Sequence, residues 1–126
     1  MNEDRRETGQ KAENVAEAFL ESKGIKVIDR NVSCRWGEID IVARDGKYVV
    51  FVEVRSASEG FLVHPFESVT KKKQLSIIKA ASWYLKRNRM ANASVRFDVV
   101  GIIWRKEREP ELKWIKNAFD ASKSRS

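Results

Sequence analysis

The stretch from Gly37 to Arg55 constrains the fold most, because its pattern predicts a β-hairpin with one fully apolar face. Two runs rich in β-forming residues, Glu38 to Ala43 and Tyr48 to Val54, flank the dipeptide Asp45-Gly46. Asp-Gly between such runs predicts a two-residue type I′ turn, in which both central residues take a positive φ. This turn would set the register of the hairpin: Arg44 with Lys47, Val42 with Val49, Asp40 with Phe51 and Glu38 with Glu53.

The two faces of the hairpin differ in chemistry, because successive side chains of a strand point to opposite faces. One face carries only apolar side chains: Ile39, Ile41, Ala43, Val50, Val52 and Val54. The other face carries charged residues near one end and apolar residues beside them: Glu38, Asp40, Glu53 and Arg55, with Val42, Val49 and Phe51. The apolar face predicts packing on a core, and the mixed face indicates a partly covered cleft.

Two acids of the mixed face come together in this register. Asp40 and Glu53 become diagonal neighbours, with Cβ atoms about 7 Å apart. Two carboxylates at that separation repel unless a positive charge lies between them. A hydrated Mg²⁺ suits the gap, because it binds one or two protein carboxylates and completes its shell with water and phosphate oxygens. The alternative is that these acids, with Glu38, form a solvated outer face neutralised by nearby basic residues.

Composition limits the possible partners. The 126 residues fit one domain, 1–126, with about 1–8 and 120–126 expected to be flexible. A net charge of +7 predicts a polyanionic partner, nucleic acid first and an anionic membrane second. The single cysteine, Cys34, excludes an intrachain disulfide and a cysteine-based zinc site. Without a signal-peptide pattern or a membrane-spanning run, we expect a soluble, cytoplasmic protein.

The remaining elements follow from periodicity and from helix-ending residues. We predict a helix at Gly9–Lys23, short strands at Ile25–Asp29 and Val32–Trp36, a loop at Ser56–Pro65, a helix from about Thr70 to Arg87, and strands at Arg96–Trp104 and Leu112–Phe119. His64 lies in the loop, where a histidine is more often incidental than a general base. Glu13 and Glu17 of the first helix are more simply read as solvent-exposed.

The second helix begins with an unusual charge pattern. Thr70 is a good N-cap, and Lys71, Lys72 and Lys73 follow it in the first turn. The helix dipole already makes that end positive, so cations there are disfavoured. One interpretation is that a phosphate docks at this helix end, where lysines and backbone N–H groups converge. The alternative is a solvated basic end.

Several pieces of the chain resemble a known family. Gly37-Glu38-Ile39-Asp40, followed by Val50-Phe51-Val52-Glu53-Val54, looks like the bacterial YraN family of predicted endonucleases. That family belongs to the PD-(D/E)xK nuclease superfamily and is similar to archaeal Holliday-junction resolvases. The resemblance covers nearly the whole chain and includes these further matching segments: Glu13-Asn14-Val15-Ala16, Phe19-Leu20, Lys23-Gly24, Arg30-Asn31, Val69 to Gln74, Arg96 to Val100 and Asn117-Ala118-Phe119.

The resemblance implies an α/β, restriction-endonuclease-like fold with a mixed central sheet flanked by helices, in the order α-β-β-β-α-β-β. It places Glu13, Asp40 and Glu53 on the acidic positions of a nuclease site, with Asp40 and Glu53 as ligands of Mg²⁺ or Mn²⁺. The basic position two residues after Glu53 is Arg55, where the family has lysine. Nucleic-acid binding falls on these residues of the second helix: Lys71, Lys72, Lys73 and Gln74. Trp114 also departs from the family, which commonly has histidine there.

The implied activity is metal-dependent hydrolysis of phosphodiester bonds in branched or structured DNA. Arg55 would contribute charge and bidentate phosphate contacts, but a guanidinium does not act as a base, whereas lysine can shift its pKa when desolvated. The second hypothesis is therefore a non-catalytic nucleic-acid-binding module on a nuclease fold, and the third is a protein-interaction domain with incidental charge. The sequence does not distinguish DNA from RNA, and it leaves the oligomeric state open, a homodimer included.

Overall fold

The computed structural model describes residues 2–60 and 69–121. Its elements follow the predicted order α-β-β-β-α-β-β. Their bounds are α1 Asn2–Ser22, β1 Lys26–Cys34, β2 Gly37–Asp45, β3 Tyr48–Ser58, α2 Lys71–Arg87, β4 Ser94–Trp104 and β5 Glu111–Phe119. The predicted fold class is confirmed: the architecture is a mixed α/β sheet with two helices, consistent with a restriction-endonuclease-like fold.

The sheet has five strands in the order β1-β2-β3-β4-β5. The β3–β4 pair is parallel, with α2 as the connection between them, and the other three pairs are antiparallel. Strand β3 lies in the middle and is covered on both sides, as its alternating packing shows. Val50 and Val52 belong to the core beneath α1, whereas Val49 and Phe51 belong to the core beneath α2.

Several boundaries differ from the predictions. Helix α1 begins at Asn2 rather than Gly9, so residues 2–8 continue the helix. One strand, β1, replaces the two short strands predicted before the hairpin, and it runs through Asn31, which takes φ +53°. Asparagine tolerates this left-handed conformation better than most residues, so the strand need not end there. Strand β3 extends to Ser58, into the predicted loop.

The register of the β2–β3 hairpin is shifted by two residues from the prediction. Asp45 pairs with Tyr48, so the turn residues are Gly46 and Lys47 rather than Asp45 and Gly46. Gly46 has φ +58° and Lys47 has no positive φ, which fits a type II′ turn and not type I′. Asp45 is held in the strand by an ion pair with Arg96 of β4, at 2.8 Å. Because a shift of two residues preserves the period of two, the shift alone moves no side chain to the other face.

Some predictions fall on residues outside those described. His64 and half of the predicted loop, residues 61–65, lie within 61–68, and residues 122–126 of the predicted flexible tail also lie outside. Neither helix among residues 2–60 and 69–121 is long and apolar enough to cross a membrane.

Candidate active site

Asp40 lies where strands β2 and β3 stop pairing. The ladder between them runs from Asp45–Tyr48 to Ile41–Val52, so Asp40 and Glu53 are the next residue on each strand. The two-residue shift therefore brings the acids directly opposite one another, closer than the predicted diagonal arrangement. Asp40 Oδ2 accepts a hydrogen bond from the Val54 backbone N–H at 2.8 Å, in place of a backbone carbonyl.

The alternation of side chains is also interrupted around Asp40. Ile41 packs in the core beneath α1, but Ile39, two residues earlier, packs in the core beneath α2. The prediction that both belong to one apolar face is therefore wrong. A regular strand would place them on the same face. The interruption lets the Asp40 carboxylate turn toward β3, where it also lies within electrostatic range of α1.

The two carboxyl groups of Asp40 and Glu53 lie within hydrogen-bonding reach of one another. Burial, followed by the charge of Glu53, raises the pKa of Asp40 to about 7. The Val54 N–H and the charge of Lys73 act in the opposite direction. Asp40 therefore holds a proton up to near-neutral pH, and a cation that replaced this proton would relieve the repulsion from Glu53.

The first turn of α2 contributes a positive charge to this pair. Lys73 Nζ lies 3.8 Å from Glu53 Oε2, and the Glu53 side chain is only 13% exposed. The predicted N-cap is present, since Thr70 Oγ1 accepts a hydrogen bond from the Lys73 backbone N–H at 3.2 Å. The N-terminus of α2 thus faces the acidic pair. This is the orientation expected if the helix end binds phosphate.

The other residues predicted to bind nucleic acid have different surroundings. Lys71 and Lys72 are exposed. Gln74 is half-buried, and its Nε2 donates to the Val69 backbone carbonyl at 2.8 Å, which supports the start of the helix. Gln74 therefore has a structural contact, whereas the two exposed lysines are accessible to a ligand.

Glu13 comes from the opposite side of the sheet. Its side chain is 12% exposed, and Arg30 of β1 holds it through an ion pair of 3.3 Å. Arg30 also binds Glu17 at 3.1 Å and Asn14 Oδ1 at 2.8 Å. Burial, followed by the charge of Asp40, raises the pKa of Glu13. The simple expectation of a solvent-exposed Glu13 is wrong, because β1 and the sheet cover this part of α1.

Arg55 lies two residues beyond Glu53 on β3, so strand alternation places both on the same face. It is half-buried and lies opposite Gly101 in the parallel β3–β4 pair. The structure thus brings Asp40, Glu53 and Lys73 together. Glu13, paired with Arg30, approaches them from α1. Arg55 lies two residues further along β3. The catalytic and binding roles of these residues stay predictions.

The donor set can be compared with what a divalent metal requires. Over residues 2–60 and 69–121, no group of three or more His, Cys, Asp or Glu side chains converges as a metal site. Asp40 and Glu53 nonetheless supply two carboxylates, and Mg²⁺ is commonly held by one or two, with water and substrate phosphate completing its shell. The pair therefore fits Mg²⁺ or Mn²⁺ in a site that needs its substrate to be complete.

Arg30 matches the family pattern, but the sequence alone assigns it no role in the site. A basic residue on a strand next to a helix that carries acids is a sequence signal for an ion pair.

A second group of polar contacts, around Asp98, is also not predicted from the sequence. Asp98 is fully buried in β4 and binds Arg96, Trp114 Nε1 and the Asn117 backbone N–H, so its contacts are structural.

Comparison with known proteins gives one consistent result. The family model described as "Uncharacterised protein family UPF0102", the YraN family, matches residues 12–102. A UPF0102 protein of Marinobacter nauticus is 45% identical over 116 residues, covering 92% of this chain and 94% of the relative. UPF0102 proteins of Geobacter metallireducens and Chromohalobacter salexigens are 45% and 44% identical, covering 89% and 95% of this chain and 91% and 96% of the relatives. The predicted family resemblance is confirmed.

Proposed function

The chain belongs to the family UPF0102, and we propose that it is a metal-dependent endonuclease that hydrolyses phosphodiester bonds in branched or structured DNA. The observation that carries this proposal is the acidic pair of Asp40 and Glu53, which is partly desolvated and faces the basic end of α2. A desolvated acid with a raised pKa beside a second carboxylate and a cationic helix end is typical of functional sites. The net charge of +7 also supports a polyanionic substrate.

Asp40 and Glu53 would hold a Mg²⁺ or Mn²⁺ ion. Such an ion would lower the pKa of a water molecule and offset the negative charge that develops on the phosphoryl oxygens. Glu13, fixed by Arg30, would act from the α1 side as an acceptor for ordered water. Lys73, at the N-terminus of α2, would bind a phosphate oxygen, and Arg55 would contact the same phosphate through its planar guanidinium.

A cleavage assay on branched DNA tests the proposal directly. We expect the protein to cut a labelled four-way junction in the presence of Mg²⁺ or Mn²⁺, and to cut nothing when EDTA is added. Linear duplex of the same sequence serves as the substrate control. Absence of cleavage with either ion, under conditions where DNA is bound, would exclude the endonuclease and favour the alternative below.

The alternative is a non-catalytic nucleic-acid-binding module on the same fold. Arg55 favours it, because this residue stands where the family pattern has lysine, and a guanidinium stays protonated and so cannot accept a further proton. In that case DNA binding persists without hydrolysis. A gel-shift assay run beside the cleavage assay separates these two functions.

Substitution of Arg55 tests whether the basic position works through charge alone. We expect Arg55→Ala to lower the single-turnover cleavage rate by about 10²-fold, comparable to the loss of one electrostatic contact in a transition state. Arg55→Lys should change that rate only modestly, since it keeps the charge. Binding of Mn²⁺ should survive both substitutions because Asp40 and Glu53 are unchanged.

Other outcomes for Arg55 have distinct meanings. An increase of about 10²-fold in Arg55→Lys would show that the reaction needs a titratable amine at this position. Unchanged cleavage in both variants would place Arg55 outside the site.

Lys73 should compete with a divalent cation for the acidic pair. Because its ammonium lies 3.8 Å from Glu53, we expect Lys73→Gln to tighten Mn²⁺ binding. The expected gain is about fivefold at pH 8, which corresponds to about 1 kcal/mol for a partly exposed ion pair. Lys71→Gln removes the same charge from the same exposed helical turn, two residues before Lys73, so it is the matched control and should leave the affinity unchanged. If an Mn²⁺ titration gave the same change in affinity for Lys73→Gln and Lys71→Gln, it would contradict a specific contact of Lys73 with the acidic pair.

Phosphate binding at the α2 N-terminus predicts a change in salt dependence. We expect charge reversal of Lys72 and Lys73 to weaken DNA binding and to reduce the slope of log K against log[salt] by about 0.9 for each lost phosphate contact. The slope is measured by fluorescence anisotropy over a series of salt concentrations. An unchanged slope would leave these lysines as a solvated helix end.

A further inference from the structure

Trp36 is an exposed aromatic side chain close to the acidic pair. It lies in the tight turn between β1 and β2, whose flanking residues Cys34 and Gly37 pair with one another. About 40% of its surface is exposed, which places it among the few large apolar residues at the surface of the described chain. Neither the acidic site nor the core accounts for this exposure.

The backbone at Trp36 is held firmly although the ring is exposed. The Trp36 carbonyl accepts a hydrogen bond from Ser76 Oγ of α2 at 2.7 Å. The next residue, Gly37, has φ +148°, and a Cβ at that position would overlap Ser76 Oγ. The turn can therefore approach α2 this closely only with glycine. A side chain presented from a fixed backbone loses less conformational freedom when it binds a ligand.

Two cations surround the ring. The Arg35 guanidinium carbon lies 4.4 Å from the Trp36 ring centroid, and Lys79 Nζ lies 5.4 Å from it. Lys72 is two helical turns before Lys79, so both lysines lie on the same side of α2 as Ser76. An aromatic ring among cations matches nucleic acid, because phosphates pair with the cations and any base offers a π-face for stacking.

This cluster adjoins the acidic pair. Gly37 is three residues before Asp40 on β2, a distance of about 10 Å along a strand. Ser76 is three residues after Lys73 on α2, about 4.5 Å along the helix axis. A nucleic-acid strand with one phosphate bound at Lys73, beside Glu53, would therefore place a neighbouring nucleotide near Trp36.

We propose that Trp36, Arg35 and Lys79 form a subsite for an unpaired nucleobase and its adjacent phosphates. The inference rests on the proposed function in assigning nucleic acid as the substrate, and it narrows the substrate class. Bases inside a duplex are stacked on one another and do not offer a free face. The preferred ligand is thus a nucleic-acid strand with unpaired nucleotides next to the scissile phosphate, as at a flap, an overhang or a junction that has unpaired nucleotides at its branch point.

Binding measured without any divalent cation tests the subsite. The probes are a short fluorescein-labelled oligothymidylate and a blunt duplex of the same length, both in EDTA. We expect Trp36→Ala to weaken oligothymidylate binding about 5- to 140-fold, the range found when one stacking side chain is truncated. Affinity for the blunt duplex should stay within about twofold, since phosphate contacts dominate it.

Two further variants make the comparison specific. Trp36→Phe keeps an aromatic face and should retain most of the oligothymidylate affinity. Ile28→Ala removes an apolar side chain of similar exposure, 36%, from β1 and should change neither affinity. Equal affinity of wild type and Trp36→Ala for the oligothymidylate would overturn the subsite. Equal losses on both probes would overturn it too, because they would show that Trp36 shapes the surface without reading a base.

A spectroscopic measurement covers the case in which Trp36→Ala does not fold. Stacking of thymine on Trp36 should quench part of the native protein's tryptophan fluorescence, and this part should be missing in Trp36→Phe. Identical quenching in both proteins would contradict the inference.

The subsite and the proposed function can fail separately. Trp36-dependent oligothymidylate binding without cleavage of any junction would refute the endonuclease and leave the subsite. Junction cleavage with unchanged oligothymidylate binding in Trp36→Ala would refute the subsite alone.

Discussion

Asp40→Asn is expected to abolish both divalent-cation binding and cleavage, and yet to stabilise the protein above pH 7. Asparagine keeps the shape of aspartate, and its Oδ1 can still accept the Val54 N–H that Asp40 Oδ2 accepts at 2.8 Å. What it removes is the negative charge opposite Glu53. We expect cleavage to fall by at least about 10²-fold, because the site would lose one of the two proposed ligands of the divalent ion. Glu53→Gln should lower cleavage similarly.

The gain in stability follows from the pKa of Asp40. Burial and Glu53 raise this pKa from the ordinary 3.8 to about 7, so between these values the folded protein holds a proton that the unfolded chain has released. The free energy of unfolding of the wild type therefore falls as pH rises from about 4 to 7, by at most about 1.4 kcal/mol per pH unit from this group. Asparagine has no charge to lose, so this decline should be flatter in the variant.

Chemical denaturation at several pH values in EDTA measures both effects. At pH 8 we expect the free energy of unfolding of Asp40→Asn to exceed that of the wild type by about 1–3 kcal/mol. Added Mn²⁺ should stabilise the wild type only. Glu38→Gln is the matched control, since Glu38 is an exposed acid two residues earlier on the same strand. A wild type whose stability does not decline with pH, or a variant that still binds Mn²⁺, would contradict the assignment of the acidic pair.

Asp98→Ala is expected to cause the largest loss of stability, about 3–5 kcal/mol, which is typical when one partner of a buried ion pair is removed. Asp98 accepts two hydrogen bonds from Arg96, at 2.9 and 3.0 Å. It accepts two more from Trp114 Nε1 and the Asn117 backbone N–H, both at 2.9 Å. Alanine would leave these donors without their acceptor and would leave Arg96 with Asp45 as its remaining carboxylate partner.

Urea denaturation of Asp98→Ala, Asp98→Asn and a surface control measures this effect. Asp98→Asn keeps acceptor capacity without the charge and should lie between alanine and the wild type. Glu109→Ala lies in the exposed turn before β5 and should change the free energy of unfolding by no more than about 0.5 kcal/mol. A loss below about 1 kcal/mol for Asp98→Ala would show that water replaces the carboxylate. If Asp98→Ala does not fold, the decrease in the free energy of unfolding of Asp98→Asn tests the stabilising role of Asp98 instead.

Local sequence patterns were sufficient for the order and type of the elements. Thr70 before three lysines predicted the start of α2, because a hydroxyl that accepts the Lys73 N–H needs only residues close in the chain. The Asp45-Gly46 dipeptide predicted a hairpin correctly but misplaced its turn by one position, which shifted the register by two residues. A glycine can occupy either central position of a two-residue turn, and Asp45 was drawn into the strand by Arg96, 51 positions later.

The candidate site also has some features that the sequence predicted and others that only the structure revealed. Its acids were found from the sequence, because strand alternation and a short loop bring Asp40 and Glu53 together in either register. Three features depended on packing between distant elements: the interrupted alternation at Asp40, the Arg30–Glu13 ion pair, and the contact that distinguishes Lys73 from Lys71 and Lys72.

The sequence by itself therefore determined what depends on neighbours a few residues apart: the periodicity of helices and strands, the helix cap, the hairpin and the charge of its acidic end. The tertiary structure alone decided which side chains share a desolvated space. Which side chains are desolvated depends on how α1 and α2 cover the two faces of the sheet. Their desolvation in turn shifts the pKa values of the site. Burial against these elements raises the pKa of Asp40 to about 7, although no residue within several positions of Asp40 would by itself indicate that shift.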